Sequence, residues 1–363
     1  MLMTIGILTF FESDNYGTVL QAFALQDYLQ TLGHEVTLLH FKRNINATSS
    51  FFKEKAKAYT LKQRIKNRIV MEMTAKSRKS KSTKFKEFRN EHLNISSVCY
   101  ETGEDFLKDA EKYDLLISGG DQIWNPYHKS FSLNYMFSFL PEKHPRISYG
   151  SSFGIDKVHD EKVVNAMGCA LKNYSSILVR ESSGVKIVQE MGFHAQKVLD
   201  PVFLNVDCWH RFVKKDSPMK EKYGVVYALV DYNEKSNKVI QDHMKKDNLK
   251  MVVFPDNRWN CISSYKKRFG LSPIDFLNYI AHSEIVFTNS FHGLAFAILF
   301  RKQVVLLEPV SLEANSKRNR LEDLLELLGI DGQINYEKTD VILKNQIFES
   351  QTILKQAIEN ACK

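Results

Sequence analysis

In "VFTNSFHGLAFAILF" an apolar run ends on Thr288-Asn289-Ser290, and an apolar helix begins within a residue or two, with His292 in its first turn. A helix N-terminus offers unpaired amides and the positive end of the helix dipole, so it favours phosphate or carboxylate. His292 there can donate to an anion or shuttle a proton near neutral pH. Equally, Asn289 or Ser290 simply caps the helix and His292 packs beside it. In "ILVRESSG", Arg180 sits at a second strand-to-helix junction, where its forked donors suit a planar carboxylate or a phosphate. The plainer reading pairs it with Glu181 or another acid on a solvated turn. "ISGGDQIWNP" leaves an apolar run through two glycines, which let a backbone turn sharply and approach a ligand. Asp121 can serve as acid or base or hold a sugar hydroxyl, and Trp124 can stack on a sugar ring. A turn role for Asp121 and a core role for Trp124 stand against these. "SDNYGT" offers Asn15 and the amides around Gly17, or merely a helix cap. It matches neither a dinucleotide fingerprint nor a triphosphate loop.

The elements that must position these residues alternate. "MTIGILTF" reads as a strand, "VLQAFALQDYLQTLG" as a helix ended by Gly33, and "HEVTLLHF" as a second strand. Further strands are expected at 113–118, 146–150, 176–179, 223–229, 250–253, 284–287 and 303–306, and helices at 182–191, 235–246, 274–281 and 291–300. Such alternation predicts an α/β protein with parallel sheets. The count suits two doubly wound domains, 1–205 and 206–340, with the change-over near "VLDPVFLNVDCW" and a terminal helix over 341–363. Ligands bind at the carboxyl ends of strands in such sheets, so the polar loops are expected to line one inter-domain cleft.

Composition narrows the classes. The 363 residues, 44% hydrophobic and 25% charged, are those of a globular protein. The longest candidate span, "GLAFAILF", is too short to cross a membrane and is closed by Arg301-Lys302. The N-terminus lacks the basic residues and cleavage site of a signal peptide, so a cytoplasmic location is expected. Five scattered cysteines without a CxxC pair read as reduced thiols, neither a disulfide framework nor a metal site. Residues 42–89 carry sixteen Lys or Arg against three acids, a local +13 in a chain of net +8. This basic helical insertion, spanning 42–95 in the first domain, has Leu61, Ile65, Ile69 and Met73 at helical spacing, with Lys62, Lys66 and Arg68 off that stripe. It reads as a surface for an anionic membrane or as a solvated helical excursion packed on the N-terminal domain. A nucleic-acid role through 42–89 is the rival from another class. No RNA or DNA motif is recognisable there, so nucleic acid is not an expected partner.

Taken in order, "NYGTVLQAFAL", "ISGGDQIWNP", "ISYGSSFG", "VRESSGVKIV", "VLDPVFL" and "TNSFHGLAFAI" resemble the polysaccharide pyruvyl transferase family, with "NRLEDLLELLGI" as a further match. The resemblance runs over roughly residues 4–330. It implies a GT-B-like α/β architecture, two Rossmann-type domains with mainly parallel sheets facing a central cleft. It also implies transfer of the pyruvyl group of phosphoenolpyruvate to two hydroxyls of a sugar, on a surface polysaccharide or a lipid-linked oligosaccharide. No cofactor or metal is required beyond that donor. The family's donor residues fall here on Arg180 and His292, with Asn289, Ser290 and Gly293 at the same helix start. Some members carry Arg two residues before that His, where this chain has Ser290, so Arg318 or Arg320 becomes the candidate for the second charge contact. His292 is expected as general acid, Arg180 as charge holder and Asp121 as base. Asn15, Tyr16, Gly17, Asp121, Gln122, Trp124, Asn125 and Ser151 are expected on the acceptor side. A GT-B glycosyltransferase using a nucleotide sugar is the rival with the same architecture.

Overall fold

The computed structural model describes residues 2–42, 61–255, 265–310 and 315–362, leaving aside the side chains of 61–71, 73 and 315–319. Its described residues fall into two compact units. The first lies within 1–58, 92–205 and 344–363; the second lies within 59–91 and 206–343.

The first unit opens with β1 (Thr4–Leu8), α1 (Tyr16–Thr31) and β2 (Glu35–Phe41). Asn15 caps α1 by accepting from the Thr18 amide, and the helix is buried from Tyr16 through Leu29. A helix buried on every face needs apolar or small residues all round, which is what "YGTVLQAFAL" supplies. With β3 (Ile95–Tyr100), β4 (Leu115–Ser118) and β5 (Arg146–Ser148), the sheet runs β3-β2-β1-β4-β5, every pair parallel. The short parallel pair β6 (Leu178–Val179) and β7 (Gln196–Lys197) continues it through bridges Ile147–Ser176 and Ser151–Val179. Between β6 and β7 lies α5 (Ser182–Glu190), and before β6 lies α4 (Glu161–Leu171); the five-residue α3 (Gly103–Leu107) precedes β4.

The second unit repeats the plan. Its strands β8 (Tyr223–Tyr227), β9 (Lys250–Val253), β10 (Lys266–Lys267), β11 (Ile285–Thr288) and β12 (Gln303–Leu306) are ordered β10-β9-β8-β11-β12, again all parallel. The helices α6 (Glu234–Lys246), α7 (Pro273–Ala281), α8 (Phe291–Leu299) and α9 (Asn315–Leu327) accompany them. Strand order therefore reverses direction between β1 and β4 in one sheet and between β8 and β11 in the other. At such switch points the loops on either side splay apart and leave a crevice. The loops after β1, β4 and β11 are three of those whose residue types drew attention in the sequence.

Two segments sit differently from the expected plan. The basic helix α2 (Leu61–His92) was expected within the N-terminal domain, yet residues up to Glu91 group with the second unit. Phe88 lies 5.9 Å from Phe212, ring centroid to centroid, and Lys84 pairs with Asp275 at 3.3 Å. Burial raises the Asp275 pKa, but the Ser272 amide and hydroxyl and Lys84 outweigh it, so the group is held below its ordinary value. The stripe of Leu61, Ile65, Ile69 and Met73, with Lys62, Lys66 and Arg68, lies outside the described side chains. The terminal helix α10 (Tyr336–Ala361) joins the first unit from Lys344 onward. There Ser350 accepts from the Leu199 amide and Gln351 donates to the Leu204 carbonyl.

The two glycines after β4 serve the protein's own packing. A Cβ on Gly119 would lie 2.2 Å from the Tyr149 carbonyl oxygen; one on Gly120 (φ +126) would lie 2.5 Å from Thr9 Oγ1 and 2.7 Å from Gln21 Nε2. The loop after β4 thus lies directly on the backbone after β5 and against the side chains of Thr9 and Gln21. Gly119→Ala should lower unfolding stability by about 1–3 kcal/mol through overpacking against an immovable carbonyl, seen as a reduced urea midpoint with an unchanged slope. An unchanged midpoint would mean that the loop has room to yield.

Candidate functional site

On the first unit the centre of the candidate site is Arg180, at the carboxyl end of β6. It pairs with Glu181 and neighbouring acids, as the plainer reading had it, but its side chain is 2% exposed, so the turn is buried and not solvated. Nη1 donates to Asp200 Oδ2 at 2.7 Å, Nη2 donates to Asp121 Oδ1 at 2.8 Å and to Ser152 Oγ at 3.0 Å, and Nε faces Glu181 Oε2 at 3.5 Å. Burial by itself would lower the Arg180 pKa. The Asp121, Asp200 and Glu181 carboxylates reverse that and raise it, so the guanidinium stays charged. Each acid is fixed in turn by backbone. Glu181 Oε1 accepts from the Phe153 and Gly154 amides at 2.7 and 3.0 Å, and Asp200 Oδ1 accepts from the Val202 amide at 3.1 Å. Asp121, with its side chain 21% exposed, is the one acid of the three that reaches solvent.

Asp121 and Arg180 are thus brought into direct contact, which the sequence did not anticipate, and several expected acceptor residues are spent on structure. Trp124 is fully buried. Its indole donates to Ser118 Oγ at 3.0 Å, and its ring meets Phe153 and Tyr174 edge-on, so it is a core residue and presents no face to a sugar. Ser151 is also fully buried, and its hydroxyl donates to the Ser118 carbonyl at 2.9 Å, which corrects its placement on the acceptor wall. Asn125 Oδ1 accepts from the Tyr127 amide and its Nδ2 donates to Gln122 Oε1, closing a turn. Gln122 holds the left-handed backbone (φ 54) that this turn needs and remains partly exposed. Asn15 is the α1 cap, half-exposed, with Tyr16 and Gly17 buried behind it. Asp200, Glu181 and Ser152 were not singled out as site residues in the sequence. Only the acids within "VLDP" and "VRE", just past short strands, hinted at two of them.

On the second unit the loop after β11 is built around Asn289. Its Oδ1 accepts from the Leu229 amide at 2.8 Å and the Val230 amide at 3.4 Å, and its Nδ2 donates to the Val230 carbonyl at 2.9 Å. The side chain therefore clips the loop after β8 to the loop after β11, on both sides of the switch point. Ser290 caps α8, its Oγ accepting from the Gly293 amide, and its own amide donates to Thr288 Oγ1 at 3.0 Å. Gly293 permits the helix to lie on the strand, because a Cβ there would come within 2.4 Å of Thr288 Oγ1. His292 is 3% exposed in the first turn of a helix buried from Phe291 through Ile298 and carrying no acid in that turn. Its N-terminal positive potential is therefore not cancelled by a first-turn carboxylate. Arg320 is buried on α9, which packs against α8; the Arg318 side chain lies outside the described residues. No group of three or more metal-ligating side chains is found among the described residues, and none of their helices is long and apolar enough to cross a membrane.

Two Rossmann-type units with parallel sheets define a GT-B-like fold. Solved structures of that class align over nearly the entire chain. An α-glucosyltransferase solved with UDP and a 13-mer DNA containing an HMU base is 10% identical, covers 100% of both chains and gives a TM-score of 0.52. The UDP-GlcNAc 2-epimerase of Neisseria meningitidis, solved with UDP-GlcNAc, is 10% identical over 98% of this chain and 99% of that one, with a TM-score of 0.50. At this identity the likeness is one of fold. No curated protein matches. The family model for polysaccharide pyruvyl transferase matches residues 15–309, and the chain belongs to that family.

Asn289→Ala should leave two part-buried amides and one carbonyl without their partner and lower stability by about 1–3 kcal/mol. Asn289→Asp keeps the acceptor for both amides and should fall between wild type and Ala in chemical denaturation. Equal stability of all three proteins would show that the clip carries no strain-bearing role.

Proposed function

We propose that the protein moves the pyruvyl group of phosphoenolpyruvate onto two hydroxyls of one sugar of a surface polysaccharide or its lipid-linked precursor. The product is a cyclic ketal, and phosphate is released. The observation that carries this reading is His292 in the first turn of a buried, capped helix at the second sheet's switch point, in a chain of this family. A donor with both a phosphate and a carboxylate needs anion stabilisation, and the start of α8 from Ser290 to Gly293 supplies amides and dipole for one of them. Arg320, buried on the neighbouring helix, is the cation assigned to the other.

The chemistry balances without an oxidant or reductant. A proton adds to the methylene carbon of the enol phosphate while a sugar hydroxyl oxygen bonds to the adjacent carbon and gives up its own proton. The carbon–oxygen bond to phosphate then breaks, the second hydroxyl closes the ring on the same carbon, and its proton leaves with phosphate. His292 is assigned the proton delivery, to the methylene or to the departing phosphate. Asp121, paired with Arg180 and partly exposed, is assigned the hydrogen bond from the attacking hydroxyl.

The test incubates the protein with phosphoenolpyruvate and candidate lipid-linked oligosaccharides, reading phosphate release together with the mass of the product. Both signals should depend on both substrates, and His292→Ala should cut turnover by about 10²–10⁴-fold. Release of a nucleoside diphosphate from a nucleotide sugar, with no phosphate from phosphoenolpyruvate, would replace this reading with glycosyl transfer. Full turnover in His292→Ala would remove His292 from the mechanism.

A further inference from the structure

We infer that the second unit docks on a membrane surface rich in anionic lipid headgroups. The docking face is built jointly by α2 and by the segment 266–270 at the edge of the unit's sheet. Docking of this kind does not depend on the pyruvyl-transfer reading, and every residue in it belongs to the second unit.

Charge is concentrated in two stretches. From Thr74 to Lys86 the helix carries six Lys or Arg and no acid; Glu72, Glu87 and Glu91 lie to either side. "KKRF", residues 266–269, adds three cations within 265–274, a second stretch without an acid. The fold sets these distant stretches side by side. A Cβ on Gly270 would lie 3.2 Å from the Ser77 carbonyl oxygen and 3.3 Å from the Ser80 side chain, and Lys84 reaches Asp275 at 3.3 Å. The helix is held by its inward residues, Phe85 and Phe88, both buried, with Phe88 against Phe212. Lys76, Arg78, Lys79 and Lys86 stay exposed, as does Lys266.

Phe269 decides the partner. It is 40% exposed, next to the glycine that meets α2 and directly after three cations. Interfacial binders combine these parts: cations meet anionic headgroups while an aromatic ring dips below them. Attraction to a charged leaflet is delocalised and requires no fixed spacing of the cations. A nucleic-acid strand asks for more, because successive bases need aromatic faces to stack on. Of the aromatic residues in the two stretches, Phe85 and Tyr265 are buried and only Phe269 is exposed. On the adjoining α7, Tyr279 is buried and lies 6.0 Å from the Arg268 guanidinium. The apolar contact therefore comes from a loop far from α2 in sequence, which the helical periodicity of α2 could not reveal.

Sedimentation of the full chain with lipid vesicles tests this. The protein should pellet with phosphatidylcholine vesicles containing about a quarter phosphatidylserine, and not with phosphatidylcholine alone. It should be released as salt rises from about 0.05 to 0.5 M, because screening shortens the attraction. Lys76→Gln, Lys79→Gln and Lys267→Gln combined should weaken partitioning on the order of a hundredfold, about fivefold for each lost cation. Phe269→Ala should weaken it by about fivefold with the salt dependence unchanged. The same charge change on exposed lysines of the first unit, Lys108→Gln, Lys129→Gln and Lys157→Gln combined, should leave partitioning near the wild-type value. Equal loss in that control, wild-type partitioning in the α2 and Phe269 variants, equal pelleting with both vesicles, or none with either overturns the inference. So does tighter binding to a single-stranded oligonucleotide than to vesicles at equal phosphate concentration, which would give the face to nucleic acid. No measurement here uses phosphoenolpyruvate, so the outcome stands whether or not pyruvyl transfer is observed.

Discussion

A guanidinium taken out of water is tolerable only if its charge and its donors are met, and this requirement organises the first unit. Desolvation of an unpaired ion is prohibitive, so Arg180 and its three acids stand or fall together. The acids come from the ends of β4, β6 and β7, and the serine comes from the end of β5. Each short strand is therefore fixed in register by more than its ladder. That matters most for β6 and β7, which are two residues long and pair only with each other and through single bridges. Ladders this short have little stability of their own. The ion cluster at their carboxyl ends supplies the missing definition.

The second unit meets the same need without charge. Asn289 clips the loops on either side of the β8–β11 switch point with one amide group, using an acceptor for two backbone amides and a donor for one carbonyl. The contrast has a chemical consequence. A neutral clip leaves the positive end of α8 unopposed by any acid in its first turn, whereas the first unit's clip surrounds the Arg180 guanidinium with carboxylates. The second unit's frame is thus the one suited to anions, and the reaction proposed above would draw on it, because its proposed donor carries two anionic groups.

Much of the frame was legible in the sequence because it follows from local rules. Apolar runs of four to eight residues with helical stretches between them placed β4, β5, β6, β8, β9, β11 and β12, and Asn15 and Ser290 stood where caps belong. The strands that escaped notice, β3, β7 and β10, lie at sheet edges or are only two residues long, and they lack a continuous apolar run. Only Tyr100 of "ISSVCY" is buried, so burial never wrote a hydrophobic pattern into it. The basic helix was recognisable as a helix. Its attachment to the second unit depends on Phe88 meeting Phe212 and Lys84 meeting Asp275, pairings between residues more than a hundred positions apart.

The site shows the same divide between local and distant information. Arg180 and His292 were found from residue type and junction, which are local signals. What Arg180 does depends on Asp121, Ser152 and Asp200, which lie 59, 28 and 20 residues away. Only the folded sheet order brings these together, since β4, β5, β6 and β7 are neighbours in space. Trp124 illustrates the opposite error. An aromatic beside Asp121 and Asn125 looks like a ligand wall, yet the turn closed by Gln122 and Asn125 sends the indole inward to Ser118. The left-handed Gln122 is what separates the two outcomes. One reversed backbone torsion decides whether consecutive residues share a surface, so Asp121 faces Arg180 and partly solvent while Trp124, three residues on, faces the core.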